Sequence, residues 1–143
     1  MKIFTIGFTK TTAQRFFTRL EKAGVKKIVD VRLNNVSQLS GFAKRDDLHY
    51  FANQICGIEY SHVPELAPTK EILDKFKKKS GDWEEYERNF LKLMEERRIE
   101  DIDRNIFDGG CLLCSEDKPH HCHRRLVGEY LKQHWDDVEI IHL

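Results

Sequence analysis

Between Cys111 and Arg124 the chain collects most of its reactive side chains: Cys111, Cys114, Glu116, His120, His121, Cys122, His123 and Arg124. Deprotonated thiols are nucleophiles, redox groups or ligands for soft metals. Glu116 is a candidate general base, or else a salt-bridge partner, for example of Arg32. Arg32 and Arg124 can each fork onto a carboxylate or a phosphate. Cys122 falls at or just before a helix start, where free amides, the helix dipole and Arg124 would stabilise a thiolate. The same position equally suits a packed cap residue.

Several familiar chemistries are not expected. Phosphatase loops that open on His-Cys need an Arg six residues after the Cys, and here that residue is Gly128. Neither a Walker loop nor G-x-G-x-x-G is present. Cys111 and Cys114 have the C-x-x-C spacing of a zinc pair. The Leu112-Leu113 between them reads as strand, however, and strand side chains three apart point to opposite faces. We therefore expect no metal and no cofactor. A set made of Cys114, Cys122 and one of His120, His121 or His123 is the remaining metal option.

These residues need elements to hold them. Lys2 to Ile6 and Lys27 to Val31 read as buried strands. Between them, Thr11 and Gln14 fit a capping box, Phe16, Phe17 and Leu20 form an apolar stripe, and Gly24 is a stop. A polar loop, 33–45, precedes a helix that begins at Asp46 and closes at Gly57. Ile58 to Val63 is the third strand, with the mixed polarity of a sheet edge. Thr69 caps a short helix through Phe76. Asp82 opens a longer one whose stripe from Trp83 to Met94 is read as core packing. Helical character continues to Gly109-Gly110. Cys111 to Cys114 is the fourth strand, and Val138 to Leu143, after a last helix, the fifth.

The pattern predicts one α/β domain over residues 1–143. We expect an open, mostly parallel five-stranded sheet of order 3-2-1-4-5, helices on both faces, in a Rossmann-like three-layer sandwich. Ligands of such sheets bind beyond the carboxyl ends of the strands. Gly7, Thr9, Lys10, Asp30, Arg32, Cys114, Glu116 and the cluster Cys122–Arg124 would meet there.

Composition narrows the function classes. Lys plus Arg and Asp plus Glu number 24 each, so no net charge favours nucleic acid or an anionic membrane. No apolar run is long enough for a span, and MKIFTIGF lacks the apolar region and cleavage pattern expected of a secretory leader. A cytoplasmic protein with four reduced cysteines is expected.

Several segments together resemble a known family: TIGF, DVR at 30–32, SQLSGFAK, YSHVPELAPT, and the block Cys114-x-Glu116…Cys122-His123-Arg124. The family is the bacterial and archaeal one called domain of unknown function 488. The resemblance runs from Thr5 to the terminal strand and matches Gly7, Asp30 and Arg32 as well. Ser37 and Phe42 fall where the family's loop carries a serine and a phenylalanine. Many members have His or Tyr then Ser after T-I-G, whereas this chain has Phe8-Thr9. The resemblance implies an α/β fold and no particular reaction.

The expectation is an enzyme acting on a small phosphorylated or nucleotide-like substrate. Cys114, Glu116 and Cys122 would do the chemistry. Gly7, Thr9, Lys10, Asp30, Arg32, Ser37, His123 and Arg124 would hold the anion. The alternatives are a non-catalytic module that binds a nucleotide or nucleic-acid end, and a metal or thiol-redox protein.

Overall fold

The computed structural model describes residues 1–36, 41–78, 82–116, 119 and 121–143. Five strands form one sheet, all parallel: β1 (Lys2–Gly7), β2 (Lys27–Asp30), β3 (Glu59–His62), β4 (Gly110–Cys114) and β5 (Glu139–His142). The helices are α1 (Ala13–Ala23), α2 (Arg45–Phe51), α3 (Lys70–Lys78), α4 (Trp83–Arg97) and α5 (His123–His134).

The strand order is 3-2-4-1-5, not the expected 3-2-1-4-5. β4 lies between β2 and β1. A right-handed crossover requires parallel strands but does not require them to be neighbours. Burial explains which strand takes the centre. All five residues of Gly-Cys-Leu-Leu-Cys are buried, and only a strand paired on both edges and covered on both faces suits such a run. β3, with alternating exposure, is an edge as expected.

The sheet carries a core on each face. Phe4, Ile6, Ile28, Cys111 and Leu113 pack under Phe16, Phe17 and Leu20 of α1 and Leu48 of α2. Ile3, Val29, Leu112 and Cys114 pack under α4 and α5, through Phe90, Met94, Leu126, Val127 and Leu131. The alternation along β4 sends Cys111 and Cys114 to opposite faces, as strand parity requires.

Helix ends follow local chemistry. Thr12, one residue beyond the expected Thr11, caps α1 by accepting from the Arg15 amide. Gly24 closes it at φ 72°, a left-handed conformation that glycine adopts without Cβ strain. Thr69 and Asp82 each accept an amide three residues on, as expected. The stretch 99–106 is two short 3-10 turns rather than one helix, because Arg98 takes a left-handed conformation and ends α4.

The connections set the site. Chain leaving β1 and β2 enters helices on one face, and chain leaving β4 enters α5 on the other. The carboxyl end of β4 is therefore flanked on both sides by strands whose connections diverge from its own. That is the crevice condition for an open parallel sheet.

Candidate functional site

Three strand ends converge. Gly7 is level with Cys114, and Asp30 with Leu113. Beyond those positions the loops are stitched together. The Ser115 carbonyl accepts from the amides of Phe8 (3.3 Å) and Thr9 (3.1 Å). The Val31 amide donates to the Leu113 carbonyl at 3.1 Å. The Val31 carbonyl accepts from His123 Nε2 at 2.6 Å. Gly7 is required by this closeness, since a Cβ there would collide with the backbone of Glu116.

Arg124 fills the centre. Its side chain is fully buried, at 0 % exposure. One terminal nitrogen donates to the Glu116 carbonyl at 2.5 Å and reaches Cys114 Sγ at 3.3 Å. The guanidinium thus holds the loop after β4 by its backbone and contacts the Cys114 sulfur.

Asp30 and Arg32 form the second buried unit. Arg32 donates to Asp30 through Nε and a terminal nitrogen, both at 2.9 Å, and its own amide donates to the same carboxylate. Tyr60 Oη donates to the other carboxylate oxygen at 2.5 Å. Burial, then that hydrogen bond, pushes the Tyr60 hydroxyl pKa well above the usual phenol range. The Arg32 guanidinium also lies 5.1 Å from the Phe8 ring centroid. The carboxylate partner of Arg32 is therefore Asp30, two residues away, and not Glu116. Parity again explains this: residues two apart on extended chain share a face.

Cys122 is the N-cap of α5 and makes no side-chain cap bond. Four separate thiols are expected from the sequence; the structure instead joins Cys114 and Cys122 as a disulfide, with their Cα atoms 7.4 Å apart, and leaves Cys56 and Cys111 free. Cys114 is 2 % exposed and Cys122 4 %. His123 offers a third donor, and one ligand atom from each of Cys114, Cys122 and His123 lies within 4.8 Å of the others. Burial lowers the His123 pKa to about 4, so the ring is neutral near pH 7. A carbonyl only accepts, so Nε2 carries the ring proton and Nδ1 keeps its lone pair. Cys111 is buried on the opposite face and is not part of this group. Of the two cysteine groupings weighed from sequence, the fold brings together the residues of the second, Cys114, Cys122 and His123.

Thr9 and Lys10 line a groove of about 630 Å3 beside β1 and α1, together with Gly7, Arg15, Arg19 and Lys22. No acidic residue lines it among the described residues. Arg15, Arg19 and Lys22 recur at four and three residues, which puts them on one face of α1. Reading α1 for its apolar stripe alone misses this opposite stripe, although its spacing is visible in the sequence. Tyr60 is missed for another reason: nothing local in the sequence marks its contact with Asp30. Glu116 is exposed, its backbone against Gly7. Ser37 and His120 lie outside the described residues.

An open, all-parallel five-stranded sheet with helices packed on both faces defines the class of protein as α/β. The chain belongs to the family described as "Domain of unknown function DUF488", whose model matches residues 12–131. That span includes Asp30, Arg32 and the Cys114–Arg124 block but stops short of β1, so the T-I-G segment lies outside it. No curated protein and no solved structure matches the chain. Among the described residues, no helix is long and apolar enough to cross a membrane.

Proposed function

We propose that this protein is an enzyme that binds a small phosphorylated or nucleotide-like substrate in the groove between the carboxyl end of β1 and α1. The charge of the groove carries this reading. Lys10, Arg15, Arg19 and Lys22 stand in a wall with no carboxylate among the described residues, in a chain whose net charge is zero. The volume of about 630 Å3 is that of a small-molecule site. Guanidinium and ammonium groups converging without local acids select phosphate or carboxylate.

Arg32 and Arg124 are not among the described residues that line the groove. One is forked onto Asp30 and the other holds the Glu116 carbonyl, so both fix the strand ends rather than meet the ligand first. The exposed Glu116 carboxylate, whose backbone abuts Gly7 of the groove, is the candidate acid–base group. Cys114 is level with Gly7 on the neighbouring strand. The second reading is a binding module without turnover. The burial of both Cys114 and Cys122 favours it, because a nucleophile must reach its substrate.

A thermal-shift panel tests the binding. It would hold orthophosphate, pyrophosphate, ribose 5-phosphate and nucleoside mono- and diphosphates, against the wild type and the pair Arg15→Glu with Arg19→Glu. A ligand at a hundred times its Kd stabilises the fold by about 2.7 kcal/mol. At least one phosphorylated compound is expected to raise Tm in the wild type and not in the double variant. A panel with no shift, or equal shifts in both proteins, contradicts the reading. Phosphorus NMR of the stabilising compound then separates enzyme from binder.

A further inference from the structure

We propose that Cys114, Cys122 and His123, once a thiol reductant has opened the Cys114–Cys122 disulfide to two thiols, form a binding site for a thiophilic metal ion of the zinc class. This site is separate from the basic groove and does not depend on the groove's function. Three observations carry it. One ligand atom from each residue lies within 4.8 Å of the other two. Two of the residues are almost fully buried, which would shield two of the ligand bonds from bulk water. His123 directs Nε2–H at the Val31 carbonyl at 2.6 Å, the arrangement by which metal-bound imidazoles are usually oriented, and this leaves Nδ1 for an ion.

The donor set selects the ion. Two thiolates and an imidazole suit zinc and its soft relatives, whereas magnesium and calcium require oxygen ligands. A Cys2His set supplies three of zinc's four positions and leaves one for water or a ligand. Backbone spacing agrees. The Cα atoms of Cys114 and Cys122 are 7.4 Å apart, beyond the roughly 4.4–6.8 Å of ordinary disulfides. Two thiolates each about 2.3 Å from zinc stand about 3.8 Å apart, which the wider spacing accommodates. Arg124, 3.3 Å from Cys114 Sγ, would donate to a coordinating thiolate from outside the ligand set.

The site also gives the Cys-His-Arg block a physical reason. Cys122 and His123 are adjacent at the N-cap and first turn of α5, and Arg124 follows them inward. One short stretch thereby supplies two ligands and the group that donates to the third.

The experiment uses the full chain without a histidine tag, purified under reductant and without chelator. Elemental analysis is expected to find about one equivalent of zinc per chain. Cys114→Ser and Cys122→Ser should each lose it, and Cys111→Ala and Cys56→Ser should keep it. If the ligand variants do not fold, cobalt(II) added to chelator-stripped wild type gives the answer through its thiolate charge-transfer band. Metal-free protein with no cobalt band, whether its two cysteines are then free thiols or a disulfide on peptide mapping, overturns the proposal.

Discussion

The carbonyl of Glu116 occupies the space in which a side chain at position 7 would begin. The loop after β4 folds back onto the end of β1, and the amides of Phe8 and Thr9 hold it there through Ser115. Gly7→Ala must therefore displace backbone, not a movable side chain. Forced overpacking costs about 1–3 kcal/mol and more where nothing yields. We expect at least the upper end of that range in urea unfolding, with the slope unchanged. A loss below about 0.5 kcal/mol would mean the loop moves aside freely.

Arg124→Ala should destabilise strongly, although arginine is ordinarily a surface residue. The side chain is fully buried and bridges β4, the following loop and α5. Stranding the Glu116 carbonyl should alone cost about 1–3 kcal/mol, with the lost packing added to it. Arg15→Ala, on the exposed face of α1, should change stability by less than about 0.5 kcal/mol. Equal effects in the two variants would contradict the central placement of Arg124.

Asp30→Asn tests the second buried unit. Asp30 is 0 % exposed and Arg32 6 %, so the substitution leaves a guanidinium buried without its countercharge. About 3–5 kcal/mol should be lost. Arg32→Met together with Asp30→Asn should recover part of it, because the charge is then gone too. A double variant less stable than Asp30→Asn alone would show that the arginine is not the residue left in deficit.

Cys56 offers a pH test away from the site. Burial, and then the Glu21 carboxylate, push its thiol up to about 11. The thiolate is the reactive form, so alkylation of Cys56 by iodoacetamide should rise about tenfold per pH unit from pH 7 to 10. The sign for stability follows: the folded pKa lies above the unfolded one near 8.5. The contribution of the neutral thiol is present below about pH 8.5 and is lost as pH rises toward 11. A rate that levels off near pH 8.5 would show an ordinary exposed thiol.

Element types were legible because each rests on local pattern. Gly24, Gly57, Thr69 and Asp82 mark helix ends by side-chain size or capping, and the structure uses all four. Strand order was not legible. Nothing in Lys2–Gly7 or Lys27–Asp30 says that β4 will enter between them; only the all-buried character of Gly110–Cys114 does so. The convergence of Gly7, Asp30 and Cys114 follows from strand ends and survives the change of order. The split between groove cations and buried arginines does not follow from residue type. Arg15 and Arg124 look alike in a sequence, and only packing makes one a surface group and the other the centre of the core.

The central claim, that the groove beside β1 and α1 binds phosphate-bearing molecules, is tested most directly by calorimetric titration with pyrophosphate. Wild-type protein should bind it with an affinity that falls as salt rises, since the donors are exposed and screened. Arg15→Glu with Arg19→Glu should weaken Kd at least tenfold, about 1.4 kcal/mol, while unfolding at wild-type urea concentration. No measurable binding by the wild type, or the same Kd in the double variant, would contradict the account.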